Sequence, residues 1–189
     1  MSATPSPDKQ NGAAARTAAS SSRRPAVAGT SLRPLVGAHP EALRAIYGKG
    51  VTADPAELGA APRGRLLAFD GGADVFLLFR PLLRALDKGL SPWRGKVFDH
   101  GGNAGQNVVF GGKMLRFRTE VGPSEVDGQP TLVLLYDSEA FKNPWPLKTV
   151  RDELRTVGPG VAIGPAYVTV GGRPVCVLWF GLEAEAANE

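Results

Sequence analysis

The sequence predicts a mainly β domain that forms a closed barrel or a strongly curved antiparallel sheet, with N-terminal helices packed on it. Residues 93–136 contain short β-forming runs separated by glycine-rich turns, which is typical of hairpins. Three runs are apolar at successive positions and therefore on both faces: residues 108–110, 132–135 and 175–182. A sheet with one face in water should alternate apolar and polar residues, so both faces must be covered. A curved or closed sheet covers one face with its own interior and the other with helices. An open α+β sheet is the alternative.

The positive charge of the chain is concentrated at its beginning. Residues 1–36 contain five of the 22 basic residues and one of the 18 acidic residues, so the remaining 17 basic and 17 acidic residues cancel. Residues 1–33 have no aromatic side chain, and we expect a disordered basic tail. Residues 34–189 should form a single globular domain, with the barrel-like part at about 62–182. Because this domain is electrically neutral, nucleic-acid binding is not expected.

The sequence lacks the motifs of metal sites, of phosphate-binding loops, of membrane spans and of signal peptides. Cys176 is the single cysteine, and its apolar surroundings indicate a buried structural thiol. No run approaches the ~20 apolar residues of a membrane span. Arg23-Arg24 is not followed by the apolar segment of a signal peptide, so a cytoplasmic location is expected. His39, His100 and one cysteine make no zinc pattern, and there is no phosphate-binding loop or G-x-S-x-G elbow. No metal or cofactor is therefore expected.

Three helices are predicted in the first half of the chain. Residues 40–47 should form a short helix, and Asp54-Pro55 should start another. Residues 74–88 carry a wide apolar stripe and give the strongest helix prediction, with a kink or break near Pro81. We expect this amphipathic segment to lie against the sheet, although a membrane surface is an alternative.

Outside residues 93–136 the sequence predicts three further strands and contains one ambiguous segment. Residues 64–69 form an apolar run too short for a helix, and residues 161–170 and 175–182 should form a hairpin. In residues 143–158 four apolar residues recur at spacings of three and four, which favours a helix: Leu147, Val150, Leu154 and Val157. If the segment is instead a strand, it has one face with Asp152 and Leu154 and another with Arg151, Glu153 and Arg155.

Two stretches resemble a known family. Trp93-Arg94-Gly95-Lys96-Val97-Phe98, followed by Asn107, resembles the opening of lipocalin-like (calycin) β-barrels. Residues 151–155, 158–160 and 163–164 are similar to uncharacterised bacterial members of that group. The resemblance covers about residues 62–182. It implies a cavity for a small apolar ligand and, in some relatives, cyclase, isomerase or decarboxylase chemistry.

A ligand site is predicted from one strand with two arginines. Alternation puts Arg116 and Arg118 on one face of residues 114–121, with Leu115 and Phe117 on the other. If the arginines point inward, they could fix the polar head of a lipid or its acid together with Tyr136. The more ordinary arrangement has both arginines in solvent. The apolar part of the ligand would then contact three aromatic residues: Trp93, Phe110 and Trp179.

Two other functions stay open. An enzyme of the same fold would use His100 as acid or base, with Arg151 or Asp152 polarising the substrate. The alternative for His100 is a polar turn, and for the other two a solvated charged face. A structural or interaction domain is the third possibility, with the basic tail contacting anionic membranes weakly. The sequence leaves the oligomeric state open.

Overall fold

Nine β-strands and two short helices make up the fold in a computed structural model that describes residues 1, 31–70 and 92–185. Helix α1 is Pro40–Tyr47 and helix α2 is Pro55–Leu58; short 3-10 turns lie at Arg33–Leu35, Glu139–Phe141 and Leu147–Thr149. The strands are β1 Val51–Thr52, β2 Arg63–Phe69, β3 Trp93–Phe98, β4 Ala104–Val109, β5 Gly112–Pro123, β6 Pro130–Leu135, β7 Val150–Gly158, β8 Val161–Val170 and β9 Arg173–Glu183.

Strands β2 to β9 form a closed barrel. Each pairs with the next in antiparallel fashion, and β9 returns to pair with β2, so that eight strands complete the circuit. Strand β1 adds to β7 beyond the end of β6. The predicted mainly β fold is therefore confirmed as a closed antiparallel barrel, and the open-sheet alternative is not formed.

The two ends of the barrel differ. At one end, helix α2 inserts Leu58, and this residue packs with Ala53, Phe98 and Phe117 to fill the interior. At the other end lie the β4–β5, β6–β7 and β8–β9 connections, because successive antiparallel strands alternate direction. We call these the closed end and the open end. Among the described residues the interior is packed at the closed end, so the open end is the side from which a ligand would enter.

Strands β2 and β3 meet at a single paired position among the described residues, Arg63 with Gly95. Gly95 has a φ of +140°, and a Cβ atom there would lie 2.3 Å from the carbonyl oxygen of Pro62. Only glycine allows the two backbones to approach so closely. Gly95 thus explains part of the Trp-Arg-Gly-Lys pattern seen in the sequence.

The outside of β8 and β9 is covered by the segment that precedes the barrel. Leu32, Leu43 and Tyr47 are buried against Ile163 and Trp179, and the Leu32 amide donates to Glu183 Oε1 at 2.6 Å. The predicted helix at residues 40–47 is confirmed as α1. Leu32 belongs to this packed segment, although the sequence placed it in the tail.

Residues 2–30 and the helix predicted at 74–88 lie outside the described residues. Within the described part of the chain, no helix is long and apolar enough to cross a membrane.

The helix prediction for residues 143–158 was wrong. Strand β7 occupies Val150–Gly158 and is buried on both faces, with Asp152 and Leu154 facing the interior and Glu153 and Arg155 facing α1. A strand buried on both faces does not alternate clearly, so its apolar residues can imitate a helical spacing. The strand alternative is the arrangement that forms.

Candidate functional site

An apolar cavity of about 630 Å³ opens at the open end of the barrel. Its outer part is bounded by Met114 of β5 and by Pro144 and Leu147 of the β6–β7 connection. Further inside, the wall is formed by apolar side chains of five strands: Leu66, Val109, Val150, Ala166, Val168 and Phe180. The interior thus offers an apolar volume of the size that small-molecule sites generally have.

Four buried polar residues form the floor of this cavity: Lys96, Asn107, Tyr136 and Asp152. We call them the floor cluster. Their inward direction follows from strand alternation, because Lys96 lies two residues before the inward Phe98 and Asp152 two before the inward Leu154.

The Lys96 ammonium uses all three of its donors within the floor cluster. Its Nζ atom lies 2.7 Å from Asp152 Oδ2, 2.8 Å from the Tyr136 hydroxyl and 2.9 Å from Asn107 Oδ1. Ring centroids of Phe117 and Phe180 are each 5.1 Å from Nζ. A buried ammonium needs this degree of pairing, because removal from water is otherwise very costly.

Asn107 is held by hydrogen bonds on both ends of its amide. Its Oδ1 accepts from Lys96 and from Trp93 Nε1 at 2.9 Å, and its Nδ2 donates to the Tyr136 hydroxyl at 2.9 Å and to the Leu115 carbonyl at 3.2 Å. Leu115 can point its carbonyl at the amide because it is the extra residue of a β-bulge, with a φ of +55°. The bulge therefore helps to orient the floor cluster.

Asp152 has an unused acceptor that faces the cavity. Oδ2 accepts from Lys96 and from the Tyr136 hydroxyl, each at 2.7 Å. Oδ1 has no hydrogen-bond partner among the described residues, while Asp152 lines the cavity. A ligand that reaches the floor can therefore donate a hydrogen bond to this oxygen.

The protonation of the cluster follows from burial and from the ion pair. Burial lowers the pKa of the Lys96 ammonium, while the neighbouring Asp152 carboxylate raises it. Burial raises the pKa of Tyr136 well above its ordinary value, and the Asp152 charge adds to this. The hydroxyl of Tyr136 thus stays protonated at neutral pH and donates to Asp152.

The structure brings three of the predicted site residues together at the cavity: Trp93, Tyr136 and Asp152. Arg116 and Arg118 do not point into it. Arg116 is exposed above the Phe141 ring, and Arg118 pairs with Glu120 and Asp137 on the outside. The reason is that Phe117 and Leu115 take the inward positions, as the solvent-facing alternative required.

The other predicted residues lie away from the cavity. Phe110 is exposed at the β4–β5 turn, and Trp179 is buried outside the barrel beside Tyr47. His100 is exposed on the turn after β3, and Arg151 points outward to Glu153. Of the three residues predicted for an enzyme, only Asp152 lies where a ligand could reach it.

Sequence reasoning missed Lys96 and Asn107 as site residues, although both belong to the stretch that carried the family resemblance. Strand alternation could have identified them, because side chains two residues apart on a strand point to the same face. Lys96 is two residues from the inward Phe98, and Asn107 is two residues from Val109, which lines the cavity. Cys176, predicted as a buried structural thiol, is half-buried outside the cavity, and burial raises its pKa. In residues 31–70 and 92–185 there is no group of three or more His, Cys, Asp or Glu that could hold a metal ion.

Comparisons with known proteins bear on the fold. No family model matches the chain, and no curated protein matches its sequence. The chain is similar to a solved structure of a protein from Thermomonospora curvata, with 15% sequence identity and a TM-score of 0.53. The match covers 82% of this chain and 93% of that one. At this identity the likeness shows a shared fold, which extends over most of both chains.

Proposed function

We propose that the barrel binds a small, largely apolar molecule, as the resemblance to lipocalin-like barrels implies. The observation that carries the proposal is an apolar cavity of about 630 Å³ with a polar cluster at its floor. Ligand sites commonly combine apolar walls with a few fixed polar groups that orient the ligand. The apolar body would lie against the wall, and the polar end would reach the floor cluster.

The polar end of the ligand should be neutral and should donate a hydrogen bond. Lys96 and Asp152 balance each other's charge, and every ammonium donor is already used. A ligand carboxylate would bring a second negative charge next to Asp152 in a buried place, which is unfavourable. A hydroxyl group could donate to Asp152 Oδ1 without changing the net charge. A hydroxylated lipid therefore suits the site better than a fatty acid.

Displacement of the fluorescent probe N-phenylnaphthylamine by decanol and by decanoate tests this proposal. We expect decanol to bind about tenfold more tightly than decanoate, because only decanoate adds a buried charge. In Asp152→Asn the preference should reverse, since Lys96 then lacks a counter-ion and can pair with the carboxylate.

Asp137→Asn is the matched control, because Asp137 is an exposed partner of Arg118 on the outside of the barrel. It should keep the wild-type preference for decanol. The proposal is wrong if neither compound displaces the probe from the folded wild-type protein. If Asp152→Asn leaves the preference unchanged, the floor cluster does not hold the ligand's polar end.

A further inference from the structure

The three described connections at the open end expose apolar side chains. Phe110 of the β4–β5 connection is 77% exposed, Trp145 of the β6–β7 connection 73%, and Val170 at the β8–β9 turn 46%. Phe69, at the end of β2, is also exposed. Among the described residues, the exposed aromatic side chains are therefore all at this end of the barrel: Phe69, Phe110 and Trp145. We call residues 110–113, 142–148 and 170–173 the rim.

Basic residues accompany the exposed apolar residues on the rim. Lys113 follows Phe110, Arg173 follows Val170, and Lys142 and Lys148 lie on either side of Trp145. All four are exposed. The acidic residues of the β6–β7 connection are Asp137 and Glu139, which pair with Arg118 and Lys148.

The connections at the closed end have the opposite character. The β3–β4 turn carries Asp99, and the β5–β6 turn carries Glu125 and Asp127, which pair with Arg151 and Arg155 of β7. Helix α2 adds Glu57 at the same end. The connections at the two ends therefore differ: those around the cavity entrance carry exposed aromatic and basic residues, and those at the far end carry acidic residues.

We propose that the rim docks on the surface of an anionic lipid bilayer. Aromatic side chains favour the interface between headgroups and acyl chains, and lysine and arginine are attracted to anionic lipids. The rim offers both on three separate loops, which a fluid bilayer can contact at the same time. Docking in this orientation places the cavity entrance against the lipid.

A bilayer fits the rim better than a second copy of the chain does. Two rims facing each other would bring Lys113, Lys142, Lys148 and Arg173 against the same four residues, and like charges repel. The acidic closed end would point away from an anionic surface, which favours the same orientation. Docking of the rim does not depend on ligand binding in the cavity. An experiment can therefore disprove one of these two proposals and leave the other standing.

Flotation of the full chain with vesicles tests the docking surface. We expect binding to phosphatidylcholine vesicles that contain phosphatidylserine, and much weaker binding to phosphatidylcholine alone. Lys113→Glu with Arg173→Glu should lower the partition coefficient by about 30-fold or more, since each basic residue near an anionic surface contributes about fivefold. Phe110→Ala with Trp145→Ala should lower it by about tenfold.

Matched controls lie away from the rim. Val121 is exposed on β5 near the closed end, and Lys49 is exposed after α1. Val121→Ala and Lys49→Glu should bind vesicles like the wild-type protein. The basic residues of the first 36 positions are present in every variant, so they cannot account for a difference between rim and control substitutions.

The depth of Trp145 gives a second readout. Brominated acyl chains should quench part of the tryptophan fluorescence of the wild-type protein, and Trp145→Phe should remove this quenching while vesicle binding remains.

The proposal is overturned if the wild-type protein does not bind anionic vesicles, or if rim and control variants bind equally. Absence of quenching with binding retained would also overturn it, because another face would then contact the lipid. If vesicle binding fails, sedimentation equilibrium would show whether the rim instead pairs with a second copy.

Discussion

Asp152 and Glu153 are neighbours on β7, yet their side chains lie on opposite faces of the barrel wall and belong to different buried networks. Asp152 faces the cavity with Lys96 and Tyr136. Glu153 faces outward, where it joins α1 to the β5–β6 turn. Both carboxylates are buried, but Glu153 contacts only protein, whereas Asp152 also borders the cavity.

The outer network leaves no oxygen of Glu153 unused. Oε1 accepts from the Glu125 amide at 2.9 Å and from Arg151 Nε at 3.1 Å. Oε2 accepts from Ser124 Oγ at 2.6 Å and lies 3.0 Å from the Tyr47 hydroxyl. Satisfied polar networks of this kind fix the relative positions of the segments that they join.

The floor cluster differs in two respects. Asp152 Oδ1 lacks a partner among the described residues, and the space in front of it is a cavity rather than packed protein. The charge of Asp152 is held by Lys96 through Oδ2, while Oδ1 stays open to a hydrogen-bond donor that enters the cavity. The outer network is thus structural, while the inner one is the candidate binding site.

The largest expected effect comes from separating Lys96 and Asp152. Lys96→Met leaves a buried carboxylate without its counter-ion and should lower the free energy of unfolding by about 3–5 kcal/mol. Replacing three of the four members of the floor cluster together (Lys96→Met, Tyr136→Phe and Asp152→Leu) should restore wild-type stability or exceed it, because buried ion pairs are often no better than apolar side chains of similar volume. Urea denaturation measures both variants.

Asn107 should tolerate the triple substitution, since it keeps its hydrogen bonds with Trp93 Nε1 and the Leu115 carbonyl. The triple variant should also bind decanol less tightly than the wild type, because the hydroxyl loses its acceptor on Asp152, and it should still bind decanoate poorly, because no cation is left beside the carboxylate. A triple variant as unstable as Lys96→Met alone would contradict this, because the floor cluster would then be required for folding.

Glu153→Gln should have a smaller but clear effect. The amide keeps one acceptor for Glu125 and Arg151, while its N–H donors face the Ser124 and Tyr47 hydroxyls that donate to Glu153 in the wild-type protein. The negative charge opposite Arg151 is also lost, so we expect a loss of about 1–3 kcal/mol in the free energy of unfolding. Ligand displacement should be unchanged, since Glu153 lies outside the barrel. Glu120→Gln is the control: Glu120 is an exposed partner of Arg118, and its loss should change stability by no more than about 0.5 kcal/mol. Equal losses in both variants would remove the distinction between buried and exposed carboxylates.

The barrel could be predicted from the sequence because three runs were apolar on both faces, which leaves few arrangements other than a closed sheet. Strand β7 could not, since Leu147, Val150, Leu154 and Val157 recur at helical spacing, although Leu147 precedes the strand and Leu154 and Val157 lie on opposite faces of the wall. The decisive information was tertiary, namely that β7 has β6 and β8 as hydrogen-bonding partners.

The candidate site was predictable in part. Tyr136 was predicted as a hydrogen-bonding residue and Trp93 as a residue of the apolar wall, whereas a single lysine in a strand normally indicates an exposed position. Lys96 is buried because Asp152 supplies its counter-ion from a strand more than fifty residues later, and the sequence does not show that pairing. The bulge at Leu115 could not be predicted either, because leucine rarely adopts a positive φ and the neighbouring sequence does not indicate one.

The smallest expected effect concerns pH and the ion pair that closes the outer network at the β5–β6 turn. Asp127 accepts two hydrogen bonds from the buried Arg155 guanidinium, at 2.7 and 2.8 Å, and these lower the pKa of Asp127. A carboxyl whose pKa is lower in the folded protein stabilises it fully above the unfolded pKa, which is about 3.9, and loses that effect as the pH falls further.

Asp127→Asn should therefore be about 1 kcal/mol less stable than wild type at pH 7, a modest value because Asp127 is partly exposed. The difference should stay constant down to a pH of about 5 and narrow below about 4. Asp137→Asn, which removes an exposed partner of Arg118, should show almost no difference at either pH. Urea denaturation across this pH range measures both variants. A difference for Asp127→Asn that grows on acidification would mean that the carboxylate does not gain stability from Arg155, and the outer network would then have to be explained without this ion pair.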